Sequence, residues 1–173
     1  TDFDSGNEFS MSQPFLVERI LTAMGIEMRM TESRPNPVVK PLLYRDTDGE
    51  IRRASWKYRS IIGMMNYLLQ STRPDIAMAV HQCARFCNDP KLSHERTVKQ
   101  IARYLLGTKE KGIICRPDSS RGLECFADAD FASGWERGDS DNPENVMSRT
   151  GYNILYAGCP IVWCSKLQTE IAL

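Results

Sequence analysis

The sequence lacks long hydrophobic runs, although 42% of its 173 residues are hydrophobic. Apolar stretches such as 61–65 and 76–80 are short, and none approaches the roughly 18–20 residues that a membrane-spanning helix needs. The N-terminus also lacks the basic start and the apolar block of a signal peptide. These absences predict a soluble intracellular protein, cytoplasmic or nuclear, with no membrane partner. The hydrophobic fraction excludes disorder as the overall state of the chain.

Zinc-binding spacings are missing as well. The six cysteines and two histidines form no Cys-x2-Cys pair and no His-x3–5-His pair, which common zinc motifs require. Without an export signal, we expect reduced thiols rather than disulfides. A zinc site is the alternative for these residues, but Cys83 and Cys87, four residues apart on a predicted helix, are better explained as small buried apolar residues.

Net charge is absent overall but not locally. Residues 52–111 carry twelve basic and four acidic residues, whereas residues 1–51 and 112–173 each carry five basic and nine acidic ones. A basic block between acidic flanks is typical of a protein that binds a polyanion such as nucleic acid. An ordinary solvated helical surface explains the same composition equally well.

Apolar spacing predicts a short strand over 9–11 and then a helix that Ser12 caps and Gly25 ends. The proline-containing residues 31–54 are predicted to be an extended linker. Three further helices are predicted: one over 56–69, one capped by Thr72, and one that runs from a cap at Ser93 to Gly107.

The last of these helices carries two stripes of side chains. One is apolar, and the other contains Arg96, Lys99, Gln100 and Arg103 at spacings of three and four. Aligned positive charges on one rigid helix can follow a phosphate backbone. Arg96, Lys99 and Arg103 are therefore the candidate nucleic-acid-binding residues. Because the apolar stripe is separate, replacing Lys99 and Arg103 is expected to change stability little.

After Pro117 the pattern predicts strands over 123–127, 151–156 and 161–164, the last two joined by a hairpin-like link. Asp128-Ala-Asp130 follows the first of them, and carboxylates at a strand end can hold Mg²⁺ through hard oxygen ligands. By itself an Asp-x-Asp pair is also common at solvated strand ends. The whole pattern predicts an α+β fold with a domain boundary near 116–122.

Six short blocks follow one another along the chain: YRSIIGMMNYL at 58–68, TRPDIAMAV at 72–80, ARYLLGT at 102–108, FADADFA at 126–132, SRTGY at 148–152 and GCPIVWCSKLQ at 158–168. In this order and spacing they resemble the Pol polyprotein of copia-type LTR retrotransposons, at the end of reverse transcriptase and the start of its RNase H. The resemblance extends from about Phe9 to the C-terminus.

The resemblance implies an identity for each segment. Residues 1–30 would be the end of the palm and the start of the thumb, 31–54 a linker, 55–116 the basic helical thumb and connection, and 122–173 the first three strands of a truncated, antiparallel RNase H-like sheet. The helices would grip an RNA–DNA or DNA primer–template duplex. Asp128 matches the family's first metal-binding aspartate, so it is the candidate catalytic residue and Mg²⁺ ligand. Asp130 is a weaker second ligand.

The parent protein would then be an RNA-directed DNA polymerase and ribonuclease H that uses Mg²⁺, with the rest of Pol as a partner of this segment. The Tyr-x-Asp-Asp turn of the polymerase has no match here. The Glu-bearing helix of RNase H would follow Leu173, and Glu170 lies too early to supply that carboxylate. The loop over 133–149 is longer and more acidic than the family pattern.

We therefore expect a piece of a longer chain that is catalytically incomplete alone. One alternative is a degenerate or domesticated remnant that acts as a structural or interaction module. Another, an independent metal-dependent nuclease, would need carboxylates that this sequence does not supply.

Overall fold

The computed structural model describes residues 8–26, 32–38, 43–130 and 147–169. The chain divides into two compact units. The helical unit is Ser12–Ile113, and the sheet unit combines Thr1–Met11 with Ile114–Leu173. The architecture agrees with the predicted α+β class.

Four α-helices lie in the described part of the helical unit: α1 (Pro14–Ala23), α2 (Tyr58–Ser71), α3 (Ala77–Ala84) and α4 (Leu92–Gly107). Their apolar faces form one core, as the helical periodicity predicts. From α2 and α4 the side chains of Met65, Leu68, Val98, Ile101 and Leu105 have no exposed surface. Cys83 on α3 belongs to the same core and Cys87 is half-buried.

All three predicted helix caps are wrong, and the hydroxyls of Thr72 and Ser93 bond elsewhere. Gln13, not Ser12, precedes α1. Thr72 ends α2 and its hydroxyl donates to Gln13 Oε1 at 3.1 Å. A 3₁₀ turn over Pro74–Ile76 follows before α3 begins. Ser93 lies inside α4 and donates to Asp46 at 2.7 Å.

Two of the predicted helix ends are confirmed. The backbone of Gly25 has φ +66°, a left-handed conformation that glycine adopts without strain. The N–H of Ile26 then bonds back to the Leu21 carbonyl at 2.9 Å, which closes α1. Helix α4 ends at Gly107.

The sheet unit contains a three-stranded antiparallel sheet in the order β3 (Leu123–Asp130), β4 (Arg149–Tyr156) and β5 (Cys159–Leu167). All three strands are longer than the sequence pattern indicates. The β4–β5 turn consists of Ala157 and Gly158, with φ values of 50° and 75°, typical of tight two-residue hairpins. A separate two-stranded sheet pairs β1 (Phe9–Met11) with β2 (Ile113–Cys115).

Large apolar side chains remain exposed on the three-stranded sheet. They are Leu123, Phe126, Tyr152, Tyr156, Ile161 and Val162. Because these side chains are exposed and the sheet has only three strands, the sheet buries little apolar surface. No helix in the described ranges is long and apolar enough to cross a membrane.

Candidate nucleic-acid interface

Helix α4 begins with a cap made by a histidine rather than by the expected serine. The Nδ1 atom of His94 accepts the backbone N–H of Lys91 at 2.9 Å, and its Nε2 lies 3.0 Å from the Tyr44 carbonyl. Nε2 therefore carries the hydrogen of a neutral ring. The ring stacks on Phe86 with centroids 4.2 Å apart. The first turn of α4 is thus fixed to a segment about fifty residues earlier.

Glu95 is buried at the same end of α4, with 1% of its surface exposed. Its carboxylate accepts the backbone N–H groups of Arg53 and Ala54 at 3.2 and 3.1 Å. Arg52 Nε lies 3.7 Å away. Burial tends to raise the pKa of Glu95, but the hydrogen bonds from Lys99 and from the Ala54 backbone outweigh it and lower the pKa. Glu95 is therefore an ionised anchor for residues 52–54.

The three candidate nucleic-acid-binding residues differ in their surroundings. Lys99 Nζ lies 2.6 Å from Glu95 Oε1, so its charge is already paired. Arg96 is exposed and Arg103 is half-buried. Within the described ranges, neither Arg96 nor Arg103 forms an ion pair. Gln100, between them, donates its side-chain amide to the carbonyls of Asn36 and Val38.

Other basic residues of the block are also paired internally. Arg53 bonds to Glu50 at 2.7 Å, Lys91 lies 3.1 Å from Asp89, and Lys109 lies 2.6 Å from Glu18. The surplus of basic residues in the sequence therefore overstates the charge available to a ligand.

The motif TRPD at 72–75 contains a buried arginine at the centre of an ionic network that the sequence did not reveal. Arg73 is 1% exposed and bonds Asp75 through two atoms, at 2.9 and 2.8 Å. It also donates to the carbonyl and hydroxyl of Thr108, at 2.9 and 2.7 Å. Tyr104 donates to Asp75 at 2.6 Å. Of this network, only the Arg-x-Asp spacing is visible in the local sequence, because the partners at 104 and 108 are distant from it.

This network shifts the ionisation of its carboxylate. Burial tends to raise the pKa of Asp75, but hydrogen bonds from Arg73 and Tyr104 outweigh burial and lower it. The network ties the start of α3 to the end of α4, so it holds the fold of the helical unit rather than forming a site for a ligand.

Asp128 lies within β3 rather than after it, and its side chain is exposed. It pairs in register with Gly151, which in turn pairs with Ser165. Asp130 is the last residue of β3, in register with Arg149.

A buried arginine lies on the same face of the sheet as Asp128. Arg149 is 8% exposed. Its Nη1 atom lies 3.4 Å from the Ser165 carbonyl and 3.3 Å from the Ser165 hydroxyl. The alternation of side chains along β4 places Arg149 and Gly151 on the face that Asp128 shares.

The two magnesium ligands predicted from the sequence, Asp128 and Asp130, lie two residues apart on β3. In the described part of the chain, no three His, Cys, Asp or Glu residues come together in a group that could hold a metal ion. Asp128 provides one hard oxygen ligand, and Mg²⁺ in proteins is bound by one or two carboxylates together with substrate oxygens and waters. Glu170 and residues 133–146 of the predicted loop lie outside the described residues.

An open groove of about 410 Å³ lies elsewhere in the sheet unit. Its wall is mostly apolar and includes Phe9, Pro117, Tyr156 and Ile161. Arg121 at this groove pairs with Glu124 at 2.6 Å. Among the described residues of the lining there is no carboxylate or imidazole to act as an acid–base group.

The fold and the charge distribution define an α+β protein with a basic helical unit. The sequence is 38% identical over 115 residues to the retrovirus-related Pol polyprotein of transposon RE1 from Arabidopsis thaliana, covering 66% of this chain and 7% of that protein. It is 34% identical over 167 residues to the corresponding polyprotein of transposon TNT 1-94 from Nicotiana tabacum, covering 94% of this chain and 12% of that protein. The chain belongs to the retrotransposon Pol polyproteins, and it spans a small part of their length.

A third relative is not named as a polyprotein. Secreted RxLR effector protein 161 from Plasmopara viticola is 34% identical over 116 residues, which cover 67% of this chain and 76% of the effector. No family model matches the chain, and no solved structure matches it.

Proposed function

We propose that this chain is the part of a copia-type Pol polyprotein in which reverse transcriptase ends and RNase H begins, and that its helical unit binds primer–template duplex. The single observation that carries the proposal is the exposed α4 surface at Arg96, in a chain that belongs to the Pol polyproteins. Arg96 and Arg103 are separated by about 10 Å along the helix axis. They lack ion-pair partners in the described structure, so their charges are available to phosphates.

Lys99 contributes less to phosphate binding than the two arginines, because its ammonium group is already paired with Glu95. In the complete parent, Asp128 would contribute one ligand toward Mg²⁺, and further Pol residues would have to provide the others. The rest of the polyprotein is the partner that we propose for the exposed apolar side chains of the three-stranded sheet.

The experiment measures binding of the 173-residue chain to a fluorescently labelled RNA–DNA hybrid between about 50 and 300 mM salt. Replacing Arg96 and Arg103 by Ala should weaken binding about tenfold and reduce the salt slope by about two units, since each lost phosphate contact removes about one. The matched control replaces Arg53 and Lys57 by Ala, which removes the same charge from exposed positions outside α4. Equal weakening in both variants would overturn the assignment to α4.

A second candidate is an interaction module without nucleic-acid affinity. The observation in its favour is the secreted effector, because most of that protein matches this chain. The same titration separates the candidates. A folded chain with no salt-dependent affinity for duplex supports the interaction module and overturns duplex binding.

A further inference from the structure

Residues 32–38 lie along α4, far from it in sequence, and we refer to them as the strap. They form no helix or strand. The N–H of Arg34 donates to the Arg103 carbonyl at 3.2 Å. Gln100 Nε2 donates to the carbonyls of Asn36 and Val38, at 3.2 and 3.0 Å. The strap therefore runs antiparallel to the last two turns of α4.

Packing and a local turn fix the strap at both ends. Pro37 is buried, and Val38 packs against the helical core. The Val38 N–H bonds to the side chain of Asn36 at 2.9 Å. Near the other end, a Cβ atom built on Gly107 would lie 2.7 Å from Ser33 Cβ, so the two backbones approach closely. The backbone position of Arg34 is thus determined by α4.

The strap places a further positive charge, that of Arg34, next to the α4 surface. Arg34 is exposed and forms no ion pair within the described residues. Its carbonyl partner belongs to Arg103, one of the two α4 arginines that form no ion pair in the described part of the chain. Lys99, by contrast, is held by Glu95. The nearest acidic residue in sequence is Glu32, also exposed.

We propose that Arg34 is a third phosphate-contacting cation of the duplex-binding surface, and that Gln100 is a positioning residue that holds the strap in place. This inference rests on the proposed function. A flexible segment would have to be ordered when it binds, whereas a strap already bound to α4 presents its arginine at a smaller entropic cost. Gln100 is the uncharged residue of the basic stripe, and the two hydrogen bonds that it donates to the strap explain why an amide stands at this position.

The test uses the 173-residue chain and the labelled RNA–DNA hybrid. Arg34→Ala should weaken binding by roughly five- to tenfold and reduce the salt slope by about one unit. Gln100→Ala should weaken binding and reduce the slope although no charge is removed, because the strap loses two anchors. The double variant should bind no more weakly than Arg34→Ala. Two controls, Arg45→Ala and Gln70→Ala, change exposed residues outside the strap and α4 and should stay within about twofold.

The outcomes separate this inference from the proposal on which it rests. If Arg34→Ala has no effect while the Arg96 and Arg103 double variant weakens binding, the strap inference fails and duplex binding stands. If none of these variants weakens binding, duplex binding by this surface fails. An unchanged salt slope in Gln100→Ala overturns its positioning role, since a structural defect alone would lower the folded fraction without changing the slope. Tighter binding by either variant would mean that the strap covers the surface, which also overturns the inference.

Discussion

The ammonium group of Lys99 lies 2.6 Å from the buried carboxylate of Glu95, one turn earlier on α4. From the sequence, Glu95 is merely the one acidic neighbour of a basic stripe. In the structure it is the centre of a cluster that also holds the backbone of Arg53 and Ala54. We therefore expect Lys99 to contribute to the stability of the helical unit, in contrast to the prediction from the sequence that its replacement changes stability little.

We predict that Lys99→Met lowers the free energy of unfolding by about 1 kcal/mol, because a buried acceptor loses a charged donor while it keeps its backbone partners. The matched variant Arg103→Met should cost less than about 0.5 kcal/mol, since Arg103 forms no ion pair with the residues that the structure describes. Urea denaturation of both variants measures the difference. Equal costs would mean that the Lys99–Glu95 contact contributes nothing measurable.

The second prediction concerns the buried arginine of the TRPD motif. Arg73→Lys should lower the free energy of unfolding by about 2–3 kcal/mol, because an ammonium group cannot reproduce the two-atom contact with Asp75 together with both bonds to Thr108. The exposed pair of Arg53 and Glu50 supplies the control, and Arg53→Lys should cost less than about 0.5 kcal/mol. A comparable loss in both variants would contradict a special role for Arg73.

The third prediction follows from the lowered pKa values of Asp75 and Glu95. A carboxyl group whose folded pKa lies below its unfolded value, about 4, stabilises the fold above that value and loses this contribution as the pH falls through the folded pKa. Stability should therefore decline below about pH 4. The deficit of Asp75→Asn relative to the unmodified chain should shrink over the same range. A deficit that stays constant from pH 7 to pH 3 would show that ionisation of Asp75 does not matter.

The fourth prediction distinguishes the cysteines by burial. Burial raises the pKa of the Cys83 thiol to about 12, whereas Cys125 is exposed. Because the thiolate is the reactive form and must also be reached by the reagent, iodoacetamide at pH 8 should label Cys125 first and Cys83 only on unfolding. Peptide mass spectrometry over a time course measures both sites. Early labelling of Cys83 in folded protein would place it outside the core.

Apolar periodicity predicted the buried faces of α2 and α4 because burial of a helix stripe depends on local spacing. It did not predict the helix caps. Thr72 and Ser93 are good capping residues by type, but their hydroxyls bond to Gln13 and Asp46, and no local rule identifies partners so distant in sequence. The alignment of Arg96, Lys99 and Arg103 on one face of α4 was predictable too, because it also depends only on helical spacing. The contact of the strap with Gln100 was not predictable from the sequence, since it joins positions more than sixty residues apart.

The last prediction concerns Asp128, the candidate catalytic residue. Gly151 and Ser165 lie in register with Asp128, and Arg149 lies on the same face of the sheet. Among the described residues, no three His, Cys, Asp or Glu side chains form a group that could hold a metal ion. The 173-residue chain should therefore cleave no RNA–DNA hybrid in Mg²⁺. In a longer Pol protein that also contains the downstream segment, Asp128→Asn should reduce hybrid cleavage by several orders of magnitude, because a neutral amide is a much weaker ligand for a hard cation than a carboxylate.

Two comparisons make this test specific. In the longer protein, Glu124→Gln changes a carboxylate of the same strand and face that pairs with Arg121, and it should leave cleavage within a few-fold. Asp130→Asn should be much milder than Asp128→Asn, since the resemblance to copia-type Pol assigns the first metal ligand to Asp128. Hybrid affinity should persist in all three variants, because we propose that the helical unit binds the hybrid. Equal loss in the two aspartate variants would remove Asp128 as the principal ligand. Cleavage by the 173-residue chain that disappears in Asp128→Asn would show that this chain completes the site with residues of its own.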